Sequence, residues 1–177
     1  MTPIETPRLL LRPWREEDAE ALWRHASDPQ VGPAAGWRAH ASAEESRRVI
    51  REVLSAEGIF AVILRESGEA VGSIGLHPTT APGYSGEWEL GYWIGRAYWG
   101  QGLIPEAAAA VIDAAFAVKS RRRLWCAHFE GNDRSRRVIE KCGFTYVFSR
   151  SVEVFDEIRT EHYYSITREA WQTWKAI

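Results

Sequence analysis

The stretch GYWIGRAYWGQGLIPEA, from Gly91 to Ala107, contains the signal that decides the fold. In it a strand-like run, YWI, is followed by closely spaced glycines and then by an alanine-rich segment typical of a helix. The first N–H groups of a helix lack partners within the helix, and the helix dipole makes this end partly positive. Gly100 and Gly102 would let an anion touch these amides, and Pro105 suits a first helical turn because it lacks an N–H. The stretch therefore predicts a phosphate-binding turn between a strand and a helix.

Glycines at this position have a second explanation. The sequence lacks the phosphate loop GxxxxGK followed by Ser or Thr, and the dinucleotide pattern GxGxxG fails because its third glycine would fall at Pro105. Tight packing at the start of a helix can also require glycine, and the pattern GxG fits this explanation as well as it fits an anion site. The glycines alone leave both explanations open.

The composition restricts the class of protein. The chain has 177 residues, of which 45% are hydrophobic and 26% charged, so one globular domain over residues 1–177 is expected. The formal net charge of -2 argues against a nucleic-acid partner, because general nucleic-acid binders need an excess of Lys and Arg to displace counterions. The two cysteines form no CxxC pair and the five histidines show no metal-ligand spacing, so no metal site is expected.

The sequence also predicts where the protein is found and whether it can form a dimer. No apolar run approaches the ~20 residues needed to cross a bilayer, and the charged N-terminal segment does not resemble a signal peptide. We therefore expect a cytoplasmic protein with no membrane partner. Nine tryptophans, most of them expected in the core, would also allow a homodimer.

Hydrophobic periodicity predicts strands and helices in a mixed order. Ser42 followed by Glu45 predicts a capping box at the start of the second helix, and Gly143 predicts a C-cap. The predicted elements are a strand (8–14), two helices (16–26, 42–58), three strands (59–66, 69–77, 87–94), a helix (103–118), a strand (123–130), a helix (133–142), two strands (144–155, 159–168) and a terminal helix. This order predicts an α/β (α+β) fold with a mixed, mostly antiparallel central sheet of about seven strands, flanked by helices.

A second motif, EGNDRSRRVIEKCGF from Glu130 to Phe144, follows the glycine turn after one predicted helix and one predicted strand. Together the two motifs resemble the GCN5-related N-acetyltransferases (GNAT), in particular the Rim branch of ribosomal-protein N-terminal acetyltransferases. The opening TPRLLLRPWREEDAEAL, the strand WELGYWIG and the closing YYSITREAW resemble the same branch. The resemblance therefore extends through most of the chain.

The resemblance implies that the cofactor is acetyl-CoA, bound in a cleft where two neighbouring parallel strands splay. The family's cofactor loop has the pattern Q/R-x-x-G-x-G/A, in which Trp99 here replaces Gln or Arg and Ile104 replaces Gly or Ala. The pantetheine arm would pair with the strand edge at Tyr92, Trp93 and Ile94. The pyrophosphate would bind the backbone amides of the six aligned loop residues, which are Trp99, Gly100, Gln101, Gly102, Leu103 and Ile104.

Two residues are candidates for catalysis, because N-acetyl transfer needs an amine that has lost its proton and a proton for the leaving thiolate. Glu89 shares a predicted sheet face with Glu87, and a half-buried carboxylate would have the raised pKa of a general base. A carboxylate in a salt bridge at a sheet edge is the alternative. The resemblance implies that Ser135 assists the thiolate, since Ile139 replaces the Tyr that many relatives place seven residues after Asn132.

The helix of the second motif contains three candidates for binding the cofactor. Asn132 and Ser135 match the family's NxxS, so Asn132 would orient the pantetheine. Asn132 is also a good N-cap for this helix, and the two roles are compatible. Arg134 and Arg137 would bind the 3′-phosphate of coenzyme A, and solvated surface cations are the alternative.

The sequence as a whole predicts an N-acetyltransferase that moves an acetyl group from acetyl-CoA to a primary amine by direct attack in a ternary complex. The acceptor would be a protein N-terminus or a small-molecule amine, and His77 and Glu161 are candidates for lining its side of the site. Cys142 is expected to be a small buried hydrophobe. A catalytically inactive GNAT-fold protein that senses coenzyme A or binds a partner protein is the alternative, because Ile104 and Ile139 depart from the family's pattern.

Overall fold

The fold is a mixed sheet with helices between its strands, seen in a computed structural model that describes residues 2–176. The strands of this part of the chain are β1 (Ile4–Glu5), β2 (Leu9–Arg12), β3 (Ile59–Leu64), β4 (Ala70–Pro78), β5 (Trp88–Ile94), β6 (Arg123–Phe129), β7 (Thr145–Val154) and β8 (Glu157–Thr167). The helices are α1 (Ala19–Ala26), α2 (Ala43–Val49), α3 (Leu103–Ala117), α4 (Asp133–Lys141) and α5 (Arg168–Lys175).

The strands form one eight-stranded sheet in the order β1-β2-β3-β4-β5-β6-β8-β7. The pairs that flank β6 differ in direction: β5 and β6 are parallel, whereas β6 and β8 are antiparallel. The parallel register extends over two residues of each strand, Trp88 with Leu124 and Glu89 with Trp125. The predicted mixed, mostly antiparallel sheet with one parallel pair is therefore confirmed.

The sheet differs from the prediction in two details. It has eight strands because the two-residue strand β1 pairs with β2, with Ile4 opposite Leu11. Two residues are too few to show a period in the sequence. The last strand, β8, also lies between β6 and β7, because β7 and β8 form a hairpin and β8 pairs with all of β6 from Arg123 to Phe129.

The ends of α4 follow local sequence signals. The Asn132 side chain accepts a hydrogen bond from the Ser135 N–H at 3.2 Å, which confirms Asn132 as the N-cap. Gly143 follows the helix with a φ of 80°, in the left-handed region that ends helices at little cost for glycine. These two signals fix the helix that contains the second sequence motif.

The helix predicted over 42–58 is shorter and irregular. Ser42 accepts from the Glu45 N–H at 3.1 Å as predicted, but the Glu45 carboxylate accepts from Ala41. After α2 the helix continues as a π-helical turn over Ile50–Leu54, and Ile50 is only 2% exposed. The extra residue in a π turn rotates the following positions, and Val53 within this turn is 54% exposed.

Two compact units can be distinguished by their contacts, and each has its own core. The first contains residues 2–75 and Tyr92–Ala110, and the second contains Leu76–Gly91 and residues 111–176. The core of the first is a cluster of Trp14, Ala19, Leu22, Ala26, Ile50, Ala61, Ile63 and Ala70. The core of the second includes a cluster of Ala81, Trp125 and Tyr163, against which Phe148 packs. The single domain expected over 1–177 stays a prediction.

Between residues 2 and 176, none of the helices combines the length and the apolar character that a membrane span requires.

Candidate active site

The glycine turn of the first unit links β5 to α3. Gly100 and Gly102 have φ values of 76° and 74°, which residues with a side chain rarely adopt. A Cβ built on Gly100 would meet no atom within 4 Å, and one on Gly102 would meet only Arg8 Nη2, at 3.7 Å. The explanation by tight packing is therefore wrong for these glycines, because what requires glycine here is the backbone conformation.

Three side chains of the predicted cofactor loop, those of Trp99, Leu103 and Ile104, pack against the protein. Leu103 and Ile104 open α3 and are 2% and 5% exposed, so the bulk of Ile104 is in the protein interior. The indole of Trp99 donates to the Ile94 carbonyl at 3.0 Å. Gly100, Gln101 and Gly102 are exposed. The turn thus presents backbone at the start of a helix, which is the arrangement that a diphosphate group requires.

The strand residues expected along the pantetheine, Tyr92, Trp93 and Ile94, form the end of β5. The Trp93 ring is stacked on Trp14, with centroids 6.4 Å apart, and meets Trp37 edge to face. Ile94 is 8% exposed. The Trp93 and Ile94 side chains therefore pack within the first unit.

Glu89 is a buried carboxylate of the second unit. It is 6% exposed, and its Oε2 accepts hydrogen bonds from Thr79 Oγ1 at 2.7 Å and from the Thr80 N–H at 3.3 Å. Burial raises the pKa of Glu89, while the hydrogen bond from Thr79 and the charge of His77 act in the opposite direction. The raised pKa is the one expected of a general base.

The alternative for Glu89, a salt-bridged carboxylate at a sheet edge, is wrong. Strand β5 lies between β4 and β6, so it is not an edge strand. Glu89 also takes part in none of the ion pairs among residues 2–176. Glu87, two residues earlier, accepts from the Trp125 indole at 2.5 Å.

A second polar network lies in the same unit and extends from the loop after β4 to β8. The hydroxyls of Thr80 and Tyr163 are 2.8 Å apart, and Tyr163 donates to Glu161 at 2.5 Å. Arg150 Nη2 lies 3.2 Å from the Glu161 carboxylate and 2.5 Å from the Tyr163 hydroxyl. Burial is the largest cause of the raised pKa of Tyr163, so this hydroxyl stays protonated.

Helix α4 in the second unit contains the remaining predicted residues. Asn132 and Ser135 are half-buried at its first turn, joined by the N-cap hydrogen bond. Arg134 and Arg137 are exposed. Ile139 is 1% exposed, so this side chain belongs to the core.

Other reactive groups give no alternative site. Burial raises the pKa of the Cys142 thiol to about 12, which confirms that Cys142 is a buried hydrophobe and not a nucleophile. Across residues 2–176 no group of three or more His, Cys, Asp or Glu side chains could hold a metal ion.

Comparison with known proteins identifies the family. Residues 8–145 match the model of the acetyltransferase (GNAT) domain. The chain belongs to the GNAT acetyltransferase family. The uncharacterized N-acetyltransferase p20 of Bacillus licheniformis is 30% identical over 149 residues, which are 81% of this chain and 83% of that protein.

Two solved structures share the GNAT fold with this chain. An acetyltransferase of the GNAT family from Bacillus anthracis has a TM-score of 0.84 and 26% identity, over 95% of this chain and 99% of that one. A Vibrio cholerae protein, named as a putative ribosomal-protein-serine acetyltransferase, has a TM-score of 0.77 and 25% identity, over 94% and 97%. The predicted GNAT fold is confirmed.

Several residues around the candidate site were missed by sequence reasoning. The GNAT match ends at residue 145, so Arg150 and Tyr163 lie outside it. Tyr163 could have been found from the period of two along β8, because this period places it on the same sheet face as Glu161. Arg8 belongs to a motif that resembles the GNAT family, but sequence gave no reason to pair it with Glu106.

Proposed function

We propose that this GNAT protein is an acetyl-CoA-dependent N-acetyltransferase that acts on a primary amine by direct attack in a ternary complex. The observation that carries the proposal is the exposed helix-start backbone at Gly100 and Gly102, held open by two positive φ values. Acetyl-CoA supplies the acetyl group as a thioester. The buried carboxylate of Glu89 is the base that takes up the proton of the amine.

The residues that would hold the cofactor are proposed one by one. The amides of Trp99 to Ile104 bind the diphosphate, and the backbone of Tyr92 to Ile94 pairs with the pantetheine. Asn132 orients the pantetheine with its amide while it caps α4. Arg134 and Arg137, both exposed, bind the 3′-phosphate through their planar guanidinium groups.

The chemical roles fall to two side chains. Glu89 accepts a proton from the ammonium form of the acceptor, which frees the nitrogen lone pair to attack the carbonyl carbon. The Ser135 hydroxyl donates a hydrogen bond to the sulfur as the C–S bond breaks. No covalent intermediate on the protein is needed, because the nitrogen and the acetyl group meet directly.

The acceptor class is proposed from the Rim resemblance, which the named function of the Vibrio cholerae relative supports. A protein N-terminus is the first candidate and a small-molecule amine the second. His77 and Glu161 would lie on the acceptor side, and the electrostatic influence of both on the Glu89 pKa supports this. A homodimer in the cytoplasm completes the proposal.

A GNAT-fold protein that senses coenzyme A or binds a partner without turnover is the second candidate. Ile139 favours this second candidate, because its buried apolar side chain cannot protonate a thiolate. The burial of Ile104 argues against it, because that side chain does not obstruct the turn.

Release of free thiol separates the two functions. Acetyl-CoA is mixed with the protein and with a panel of peptide N-termini, polyamines and amino acids, and the thiol is followed with a chromogenic reagent. We expect release that depends on both protein and amine, with a mass increase of one acetyl group on the amine. Binding of acetyl-CoA without thiol release for any amine would contradict the enzyme and favour the sensor.

A further inference from the structure

Arg8 lies beside the glycine turn and forms hydrogen bonds with the turn and with the helix that follows it. Its Nη1 donates to the Gln101 carbonyl at 2.9 Å, and its Nε donates to Glu106 Oε2 at 2.7 Å. The Arg8 backbone N–H donates to the other oxygen of Glu106, Oε1, at 2.9 Å. One residue before β2 thus connects the turn itself with the first turns of α3.

Glu106 is the anchor of this arrangement. Thr6 Oγ1 donates to its Oε1 at 2.6 Å, so the carboxylate receives hydrogen bonds from Thr6 and Arg8 together. Burial alone would raise the pKa of Glu106, but these hydrogen bonds and the Arg8 charge outweigh it and lower the pKa. Glu106 is therefore ionised at neutral pH, and its charge next to the turn would repel a phosphate unless a cation compensated it.

The third nitrogen of the guanidinium faces the turn. Nη2 lies 3.7 Å from the place where a Cβ of Gly102 would be, and it makes none of the hydrogen bonds found within residues 2–176. The Arg8 side chain is 48% exposed, whereas that of Glu106 is 17% exposed. The guanidinium is thus fixed along one edge and open to solvent along the other.

We propose that Arg8 is a phosphate-binding and positioning residue of the GNAT cofactor site: Nε and Nη1 hold the turn to α3, and Nη2 donates to a phosphate oxygen of coenzyme A. The inference rests on the proposed function, because it needs the cofactor at this turn. Arg suits the position better than Lys because its planar group donates in three directions at once, whereas an ammonium acts as a point charge.

The test is a calorimetric titration of the full chain with coenzyme A, which has the phosphates and no acetyl group. Arg8→Gln is expected to weaken binding by about tenfold or more, as the loss of a charge-assisted hydrogen bond does. Arg65→Gln is the matched control, because exposed Arg65 donates to the Thr6 carbonyl and its backbone N–H donates to the Arg8 carbonyl. We expect this control to bind coenzyme A as the wild type does.

A conservative variant separates charge from geometry. Arg8→Lys keeps the charge but cannot hold Gln101 and Glu106 together, so it should recover only part of the affinity lost in Arg8→Gln. Full recovery would contradict the positioning role. Thermal unfolding of each variant confirms that the protein measured is folded.

A donor without phosphates separates binding from general damage. S-acetylpantetheine ends before the diphosphate, so Arg8→Gln should leave its kcat/KM unchanged while the KM for acetyl-CoA rises. Equal losses with both donors would overturn the inference, as would Arg8→Gln binding coenzyme A with wild-type affinity. If the wild type itself fails to bind coenzyme A, the proposed function falls, and this inference falls with it.

Discussion

At the scale of single residues, the proposed base Glu89 lies buried on a central strand of the sheet. A carboxylate that is 6% exposed has a raised pKa because burial disfavours its charged form. Two threonine donors from the loop after β4 still hold it in place. The raised pKa makes the Glu89 carboxylate a stronger base than an exposed glutamate, which suits it to accept the amine proton.

Changing Glu89→Gln tests this role, because the amide keeps the shape and cannot accept the proton. We expect kcat to fall by about 10²–10⁴-fold, the usual contribution of a general base. In the wild type, kcat should fall as the pH is lowered through the raised pKa of Glu89, and this acid limb should be absent in the variant. Glu87→Gln is the control and should keep its activity and its acid limb. A Glu89→Gln enzyme with the wild-type pH profile would exclude Glu89 as the base.

The role proposed for Ser135 can be separated from cofactor binding. Ser135→Ala should lower kcat by about tenfold or more while the affinity for coenzyme A changes little, because the hydroxyl acts when the thiolate leaves. Ser151→Ala, at an exposed position on β7, is a suitable control. Steady-state rates and calorimetry on the same preparations give both quantities. A wild-type rate in Ser135→Ala would remove this serine from the mechanism.

Single residues also show which contacts can be predicted from the sequence and which cannot. The glycine turn at Gly100 and Gly102 could be predicted locally, because a strand-to-helix turn depends on a few neighbouring residues, but the reason for the glycines came only from their positive φ values. The bond of Arg8 to Glu106 could not be predicted, because it joins two positions far apart in the chain. Side-chain networks of this kind depend on tertiary geometry that no local period encodes.

At the scale of elements, α4 combines a structural and a proposed functional role in its first turn. The N-cap hydrogen bond of Asn132 is made by the side-chain oxygen, whereas contact with the pantetheine could use the amide nitrogen. Aspartate caps helices as well as asparagine does but has no amide N–H. The two roles can therefore be separated by substitution.

Asn132→Ala should lower the free energy of unfolding by about 1 kcal/mol, the usual cost of a lost N-cap. Asn132→Asp should keep that stability. If Asn132 orients the pantetheine, both variants should bind coenzyme A more weakly than the wild type. Urea unfolding and calorimetry measure the two effects. Wild-type affinity in Asn132→Asp would leave Asn132 as a helix cap only.

The elements themselves were predicted well where periodicity is long. Strands β3 to β6 and helices α3 and α4 lie within a few residues of their predicted bounds. The two-residue strand β1 was too short to predict, and the place of β8 between β6 and β7 depends on pairing between distant segments. The π turn at Ile50 was also unpredicted, since it changes which side chains are buried without changing the composition of the helix.

At the scale of the whole molecule, the expectation of one domain leads to a prediction about unfolding. The boundary between the two compact units falls within β4, β5 and α3, so these elements contribute residues to both. We expect a single cooperative transition in differential scanning calorimetry. Acetyl-CoA at a hundred times its Kd should stabilise the protein by about 2.7 kcal/mol, a rise in Tm of roughly 5–11 °C for a chain of this size.

Two separate transitions would contradict the single domain. A single transition whose Tm does not change with acetyl-CoA would instead contradict the proposal that acetyl-CoA is the cofactor. Coenzyme A, which lacks only the acetyl group, serves as the control ligand and should shift the transition in the same direction.

The central claim is that the glycine turn binds the diphosphate of the cofactor, and calorimetric titration with acetyl-CoA tests it most directly. We predict micromolar binding by the wild type and loss of binding in Gly102→Val, because a branched side chain is disfavoured at a φ of 74° and would change the turn. Gly68→Val, at a φ of 72° in the turn after β3, is the control for backbone strain and should bind normally. No binding by the wild type, or unchanged affinity in a folded Gly102→Val, would contradict the account.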